Sequence, residues 1–342
     1  MTLSLKPLNE QTIVITGATS GIGLATARRA ARGGAAVVLA ARNGDALRAA
    51  TEEIRNEGGR AAFCVADVAD YAYPEKLGEV ADQEFGGFDT WVNNAAAAIY
   101  GELESISEEE HRRIFDVGYF GTVAGSLYAA RKLRERGGGA LINLGSVLSE
   151  RAILLQGAYG AMKHAVLGFT EALRMELERD RAGISVTLIK PNSMDTPYPE
   201  HARNKMAKPA TLPPVIYDPE LVAKAICFAC ETPRRDLLVG GAGYMFTKFG
   251  NLMPGMTDKL MERFMGEEAQ TTDTPPEPAA EDNLFEARAD GRTRSNQGNR
   301  VRKTSLALEA QMHPLTTAAL TVGAAAAAVA IGHPPTGRHP RA

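Results

Sequence analysis

Short, nearly continuous apolar runs alternate with longer stretches of helical periodicity from Gln11 to about Gly240. Seven runs predict strands that are covered on both faces of a sheet; they are Thr12–Thr16, Ala36–Ala40, Ala62–Val65, Thr90–Asn93, Ala140–Leu144, Ser185–Ile189 and Leu237–Val239. The stretches between them predict helices, at Ile22–Arg32, Asp45–Glu57, Tyr73–Phe85, Glu108–Arg136, Ala158–Arg179 and Pro219–Glu231. This alternation predicts an α/β fold with one doubly wound parallel sheet of about seven strands.

The composition of the chain changes after Phe249. Residues 251–269 still favour helix, but Gln270–Asn299 is rich in Thr, Pro, Glu, Asp, Gly and Arg and has few large apolar side chains. Such a segment buries too little surface to offset the entropy lost on ordering. We therefore expect a domain over residues 8–250, a helical C-terminal extension over 251–269 and a disordered linker over 270–312.

An alanine-rich tail over residues 313–342 follows this linker. Its stretch from Leu315 to Ile331 approaches the length that spans a bilayer, and the basic residues Arg300, Arg302 and Lys303 precede it. Alanine contributes little apolar strength, however. Two interpretations stay open: a low-complexity helix that is soluble or packed on a partner, and a tail that enters a membrane with its basic flank on the cytoplasmic side.

Charge and cysteine content narrow the class of protein. The 342 residues carry 38 basic and 41 acidic side chains, and this balance gives no overall field that attracts nucleic acid. Three cysteines exclude a disulfide scaffold and favour a reducing, cytoplasmic compartment. Cys227 and Cys230 form a C-x-x-C without a second pair or a histidine cluster, so we expect buried thiols on a helix and no metal site.

A glycine-rich turn directly follows the first predicted strand. Gly17, Gly21 and Gly23 frame the turn, with Ser20 and Ile22 between them, and an alanine-rich helix comes next. Glycine lets the backbone approach a pyrophosphate closely, while the helix N-terminus presents free N–H groups to its charge. Strand, turn and helix in this order predict a Rossmann-type dinucleotide site.

The series of motifs resembles the short-chain dehydrogenase/reductases, in the branch with a core of roughly 250 residues. The resemblance runs from about Leu8 to Gly240, with motifs in the family's order; they are Thr16–Gly23 (TGATSGIG), Asp67-Val68, Asn93-Asn94-Ala95-Ala96, Ser146 and Tyr159-Gly-Ala-Met-Lys163. It implies that Asp67, beside Val68, holds the adenine amino group. It also implies that Asn93 passes close to the adenosine ribose and stabilises the central strand.

Tyr159 and Lys163 are four residues apart, so they share one face of a helix. A phenol with a pKa near 10 is a poor base at neutral pH, and a nearby ammonium stabilises its phenolate. The pair therefore predicts a tyrosine general acid/base whose pKa is lowered by Lys163. The family resemblance implies in addition that Lys163 holds the nicotinamide ribose and that Ser146 hydrogen-bonds the substrate oxygen.

Gly118 departs from the family pattern, because it stands where the family carries a catalytic asparagine. In the family, the backbone carbonyl of that asparagine fixes a water in a proton relay to the lysine. Gly118 keeps a carbonyl and can bend the helix by its own flexibility. We expect a slower relay rather than a dead enzyme; the alternative is an NADP(H)-binding sensor or scaffold with weak or no turnover.

The end of the second strand indicates which cofactor binds. Sites that prefer NAD place an acidic residue there, whereas this chain has Ala41 followed by Arg42. A guanidinium at this point can pair with a 2′-phosphate, to which Ser20 can add a hydroxyl; the alternative is a solvated loop arginine. The sequence therefore predicts NADP(H) in preference to NAD(H).

The segment after the sixth strand resembles the family's segment beside the nicotinamide. The resemblance implies that Met194 and Thr196 meet the carboxamide and phosphate end of the nicotinamide, and that the chain forms a homodimer or homotetramer. Pro197–Pro219 holds six prolines and predicts a substrate-binding loop. Its apolar residues either line an apolar substrate pocket or pack the loop down; they are Met206, Leu212, Val215, Ile216 and Tyr217. We expect an apolar carbonyl compound or alcohol as substrate.

Overall fold

The computed structural model describes residues 3–274, 282–288 and 291–319, in which strands and helices alternate along the chain. The strands are Thr12–Thr16 (β1), Ala36–Ala41 (β2), Arg60–Val65 (β3), Thr90–Asn93 (β4), Ile99–Tyr100 (β5), Gly139–Leu144 (β6), Ile184–Pro191 (β7), Arg203–Asn204 (β8), Ile216–Tyr217 (β9), Asp236–Val239 (β10) and Val301–Arg302 (β11). The helices are Gly21–Arg32 (α1), Gly44–Asn56 (α2), Tyr73–Phe85 (α3), Glu108–Phe115 (α4), Gly121–Glu135 (α5), Gly157–Arg179 (α6), Tyr198–His201 (α7), Glu220–Glu231 (α8), Gly241–Leu252 (α9), Pro254–Phe264 (α10) and Leu306–Met312 (α11).

Seven strands form one sheet in the order β10-β7-β6-β4-β1-β2-β3, and every neighbouring pair is parallel. The predicted seven-stranded, doubly wound fold is thereby confirmed. The strand order reverses between β1 and β4, since the chain passes from β1 outward to β2 and β3 and then returns to β4. At such a point the connections diverge and leave a crevice at the carboxyl ends of the strands, where α/β proteins bind ligands.

The sheet is covered on both faces, as the continuous apolar runs require. Successive side chains of a strand point to opposite faces, and on β1 Ile13 and Ile15 join one buried cluster while Val14 joins the other. The first cluster includes residues of α1, α2 and α8. The second includes Trp91 and packs under α3 and α5. Packing on both faces of the sheet therefore fixes the position of the crevice.

The long helix predicted over Glu108–Arg136 is interrupted in its middle. Residues Asp116–Phe120 form a π-helical turn between α4 and α5, with Gly118 at the centre. A Cβ on Gly118 would overlap the side chain of Met162 from α6, so no larger residue fits at this position without displacing Met162. The packing of α6 against this turn therefore leaves no room for the family's asparagine at position 118.

The segment expected to be a disordered linker, residues 270–312, is ordered wherever the structure describes it. β11 pairs with β9, and Leu308 and Met312 of α11 are buried in the same cluster as β1. The expectation of disorder therefore does not hold for these residues. The expectation considered only apolar burial, whereas polar contacts also hold this segment in place. Arg294 pairs with the buried Asp218 at 2.8 Å, and Ser295 donates a hydrogen bond to the buried Asp195 at 2.6 Å.

Helix α11 also covers the edge strand of the sheet. The amide of Gln311 accepts a hydrogen bond from Leu238 N at 2.9 Å and donates one to Leu238 O at 3.0 Å. Leu238 lies in β10, which is the last strand on that side. The side chain of Gln311 thus satisfies backbone groups that a further strand would otherwise pair.

Across residues 3–274, 282–288 and 291–319, no helix combines the length and apolarity needed to cross a bilayer. The alanine-rich stretch from Leu315 to Ile331 falls mostly outside these residues. The prediction of membrane contact by the tail concerns that part of the chain.

Candidate active site

The glycine turn after β1 has a backbone that only glycine fits. Gly17 has a φ of +65°, and a Cβ there would lie 2.9 Å from Cα of Ala95. A Cβ on Gly23 would overlap the carbonyl oxygen of Gly17. The side-chain amide of Asn94 donates to Thr16 O at 2.9 Å and to Gly17 O at 3.1 Å, which ties the turn to the end of β4. The turn therefore presents bare backbone at the crevice, a geometry that suits a pyrophosphate.

Two cavities meet at this turn. The larger, of about 420 Å³, brings together seven of the predicted site residues; they are Gly21, Ile22, Ser146, Tyr159, Lys163, Met194 and Thr196. The smaller, of about 110 Å³, brings together four; they are Gly17, Arg42, Asp67 and Val68. Ser20 lines both. The two cavities thus correspond to the two ends expected of a dinucleotide site.

Tyr159 and Lys163 project from the same face of α6 into the larger cavity. Nζ of Lys163 lies 5.6 Å from the ring centroid of Tyr159 and donates to Leu144 O at 2.6 Å. Ser146 follows β6; its hydroxyl accepts from Leu148 N at 3.1 Å and acts on the Tyr159 phenol to lower its pKa. The three residues predicted for catalysis therefore adjoin one another.

The pKa of Tyr159 moves in the opposite direction to the one expected. Enclosure by protein raises the pKa of this phenol to about 12, and hydrogen bonds with Ser146 and Tyr198 offset only part of that rise. Burial also lowers the pKa of Lys163 to about 8. The reason is that each group loses the hydration of its charged form in this enclosure.

Asn93 lies in the core rather than in the crevice. Its side chain accepts from Trp91 Nε1 at 2.8 Å and donates to Asn143 Oδ1 at 2.8 Å and to Ser126 at 3.0 Å. The side chain lines neither of the two cavities described above. Its contacts stabilise the centre of the sheet, and the residues that reach the crevice from this loop are Asn94 and the alanines after it.

A C-terminal segment crosses the smaller cavity. Residues 282–288 and 291–294 are called the strap from here on. Arg42 donates to the strap carbonyls of Asn283 and Phe285, the second at 2.9 Å. Gly21 N, at the start of α1, donates to Arg292 O at 2.9 Å. Residues predicted to hold the adenosine and phosphate end of a cofactor therefore hold the strap in this structure.

Two apolar residues anchor the strap on α4. Leu284 is fully buried in the cluster beneath α4 and α6. The ring of Phe285 faces two guanidinium groups, with Arg113 at 5.9 Å and Arg203 at 5.3 Å from its centroid. Arg113 also joins the strap to the adenine end of the site, since it donates to Leu284 O at 2.8 Å and to Asp67 Oδ2 at 2.7 Å. The isolated Leu-Phe pair in a polar segment was the only sequence signal for this contact.

The substrate end of the larger cavity has mostly apolar walls, lined by Val147, Leu148, Ile153, Leu212, Phe246, Met261 and Met265. Of the five apolar residues singled out in Pro197–Pro219, only Leu212 lines this cavity; the other four pack the loop onto buried clusters or pair as β9. Met261 and Met265 come from α10 and its C-terminal end. The sequence alone gave no sign that this extension reaches the site.

Comparison with known proteins agrees with this geometry. A family model described as short chain dehydrogenase matches residues 11–207. YxnA, an uncharacterized oxidoreductase of Bacillus subtilis (strain 168), is 42% identical over 330 residues, which cover 96% of this chain and 92% of that protein.

Two solved structures resemble the fold. One is an alcohol dehydrogenase from the archaeon Thermococcus sibiricus complexed with 5-hydroxy-NADP; it has a TM-score of 0.59 and 26% identity, and the match covers 67% of this chain and 95% of that one. The other is L-sorbose reductase from Gluconobacter frateurii complexed with NADPH and L-sorbose, with a TM-score of 0.60 and 25% identity over 70% of this chain and 97% of that one. The chain is an oxidoreductase that belongs to the short-chain dehydrogenase family.

Proposed function

We propose that this oxidoreductase interconverts the carbonyl and alcohol forms of an apolar small molecule with NADP(H), and that Tyr159 is its general acid/base. The observation that carries the proposal is the adjoining set of Ser146, Tyr159 and Lys163 in an apolar cavity beside the glycine turn. A carbonyl compound needs a proton donor, a group that orients its oxygen and a dry surface around the reacting atoms. Tyr159, Ser146 and the apolar wall of the cavity meet these three requirements in turn.

Each residue has a separate part in the proposed reaction. A bound nicotinamide dinucleotide supplies or accepts the hydride. The phenol of Tyr159 donates its proton to the carbonyl oxygen during reduction and takes it back during oxidation, while the Ser146 hydroxyl orients that oxygen. Lys163 would hold ribose hydroxyls of the bound cofactor and bring a positive charge to the phenolate, which would oppose the effect of burial on the pKa of Tyr159.

A sensor or scaffold function is the second candidate, and Gly118 is the observation that favours it. Its carbonyl, which the family uses in a proton relay, accepts a hydrogen bond from the Thr122 hydroxyl at 2.8 Å. NADPH consumption with a panel of aliphatic and aromatic carbonyl compounds separates the two functions. Turnover of any member supports the enzyme, and tight NADPH binding without turnover across the panel supports the sensor.

The preference for NADP(H) rests on the end of β2. Arg42 follows Ala41 there and lines the smaller cavity, with no carboxylate at position 41 to repel a 2′-phosphate. The strap carbonyls that Arg42 binds are neutral acceptors. A guanidinium binds a phosphate dianion more strongly than it binds neutral acceptors, so we expect Arg42 to favour a 2′-phosphate.

Arg42→Ala is expected to weaken NADPH binding about thirtyfold, the value of a hydrogen-bonded charge pair. NADH binding should change much less, because NADH lacks the 2′-phosphate. Titration of cofactor fluorescence measures both affinities, with Arg48→Ala as the control, since Arg48 lies on the exposed face of α2 and pairs with Asp45. Equal losses for the two cofactors would refute the phosphate contact.

Association into a dimer or tetramer and membrane contact by the alanine-rich tail stay predictions. Sedimentation of the full chain measures the first. Co-flotation with anionic liposomes, compared with a chain ending at residue 312, measures the second.

A further inference from the structure

A second phenol, that of Tyr198, stands directly beside Tyr159. The two ring centroids are 5.4 Å apart at an angle of 66°, and the interaction of the two hydroxyls lowers the pKa of Tyr159 and raises that of Tyr198. Tyr198 is the first residue of α7, within the proline-rich loop, and Tyr100 of β5 holds its ring from another side at 6.1 Å. The general acid/base proposed above therefore has a neighbouring O–H group that the mechanism does not yet use.

Two buried glutamines fix the direction of the hydrogen bonds at Tyr198. Gln270 donates from Nε2 to Leu154 O at 3.0 Å and to Met265 O at 2.8 Å, so its Oε1 is left to accept from Gln156 Nε2 at 2.8 Å. The Oε1 of Gln156 must then face Tyr198, whose hydroxyl donates to it at 3.2 Å. Both amides are oriented by their partners. The Tyr198 proton thus has a fixed acceptor that points away from Tyr159.

We propose that Tyr198 is a positioning residue whose hydroxyl stabilises the phenolate form of Tyr159. While Tyr159 is a phenol, Gln156 Oε1 accepts the Tyr198 proton; when Tyr159 becomes a phenolate, the O–H bond of Tyr198 rotates and donates to it. No bond to hydrogen breaks at Tyr198. The rotation is favourable because a hydrogen bond to a charged oxygen is stronger than one to a neutral amide. This inference rests on the proposed function.

Stabilisation of the phenolate by Tyr198 would compensate for the family's asparagine, which this chain replaces with Gly118. Burial opposes formation of the Tyr159 phenolate, and the hydrogen bond from Tyr198 acts against that effect. In the part of the chain that the structure describes, the other titratable groups that face the pair are Lys163 from α6, Tyr100 from β5 and His201 from α7. All three are retained when Tyr198 alone is changed, so a comparison with the unchanged protein isolates its hydroxyl.

Tyr198→Phe is expected to shift the pKa of Tyr159 upward by about one unit, since a hydrogen bond to a charged group has that value. Alcohol oxidation needs the phenolate, so its rate at neutral pH should fall about tenfold and its rising limb should move to higher pH. Carbonyl reduction needs the phenol, so its plateau should extend to higher pH. Rates with benzyl alcohol and benzaldehyde as the probe pair measure both limbs.

Tyr100→Phe is the matched control. Its hydroxyl is buried in the same cluster and has no hydrogen-bond partner among the described residues, so its removal should leave both pH profiles in place. Equal loss in both directions for Tyr198→Phe, without a pH shift, would overturn the inference. Tyrosinate absorbance of the cofactor-free protein, corrected with Tyr159→Phe, reports the same pKa without turnover. It decides the inference even where the unchanged protein reduces no carbonyl compound and the proposed function fails.

The strap carries a second inference, from contacts that Tyr198 does not share. It engages Gly21 N and Arg42 directly and Asp67 through Arg113, and these groups lie at the phosphate and adenosine end of the dinucleotide site. Arg292 O on Gly21 N occupies the position of an acceptor oxygen. With Asn283, Ala287 and Arg288 as a wall, the smaller cavity beneath the strap has only about 110 Å³.

We infer that the strap is a gate over this end of the site, so that a dinucleotide enters only when the strap lifts. Its carbonyls satisfy Gly21 N and Arg42 between binding events. The anchor that holds the gate is Phe285 against Arg113 and Arg203. Breaking that anchor should therefore speed entry, whereas release starts with the strap already displaced and should change little.

Phe285→Ala is expected to raise the association rate of NADPH about tenfold, from the loss of two cation–π contacts, and to leave its dissociation rate nearly unchanged. Stopped-flow cofactor fluorescence measures both rates. Leu306→Ala is the control, because this residue is apolar, 84% exposed and outside the strap. Unchanged rates, or faster dissociation with unchanged association, would overturn the gate. Limited proteolysis of the strap with and without NADPH gives a readout independent of rates. Strap cleavage that NADPH leaves unaltered in both variants would also contradict the gate.

Discussion

Tyr159→Phe is expected to lower kcat for carbonyl reduction about a thousandfold, because a positioned general acid contributes this much to proton transfer. Phenylalanine keeps the ring that packs against Tyr198, so the cavity should keep its shape. NADPH affinity should therefore stay near that of the unchanged protein. Initial rates with the carbonyl panel and a fluorescence titration of NADPH measure the two quantities.

The control for this change is Tyr100→Phe, which removes a buried phenol hydroxyl one ring further from the cavity. It should keep full turnover. If Tyr159→Phe turned over at an undiminished rate, another group would have to donate the proton and the proposed mechanism would be lost.

Gly23→Ala is expected to weaken both NADPH and NADH about a hundredfold. The added methyl overlaps the carbonyl of Gly17, and the turn must shift away from the position in which its backbone faces the crevice. Calorimetric titration with each cofactor measures the loss. It should be equal for the two, in contrast to Arg42→Ala, because the turn meets the pyrophosphate that both cofactors share.

Gly168→Ala is the matched control for that substitution. Gly168 lies in the middle of α6 with no atom within 4 Å of the position that a Cβ would take. The same added methyl should leave cofactor affinity unchanged and raise the free energy of unfolding by about 1 kcal/mol through helix propensity. Near-normal cofactor binding by Gly23→Ala would show that the turn does not hold the pyrophosphate.

The sheet could be predicted from the sequence because each central strand is buried on both faces. Burial on both faces requires a run of consecutive apolar residues, which is visible in the sequence. The predicted bounds of β1, β4 and α3 match the structure residue for residue. The turn residues and Ser146 follow strands whose carboxyl ends meet at one edge of the sheet, and Tyr159 and Lys163 are four residues apart on one helix, so their position beside one cavity could be expected from the sequence. Their roles stay predictions.

The strap could not be predicted, because its stability depends on partners far away in the chain. A segment rich in acidic residues and arginine looks disordered until its arginines meet buried acids, and Asp218 and Glu200 are such acids. The pKa of Tyr159 was missed for a related reason. Its burial depends on side chains from several separate elements, and a four-residue spacing contains no information about them.

The contact between Gln311 and β10 has a consequence for how copies of this chain can meet. An open edge strand can pair with a strand of another chain. Such pairing produces dimers that share one continuous sheet, or aggregates. Here α11 supplies both hydrogen bonds of Leu238 and blocks that end. Two protomers therefore cannot merge their sheets through β10, and an assembly has to use other surfaces. Deleting α11 would reopen this edge to strand addition.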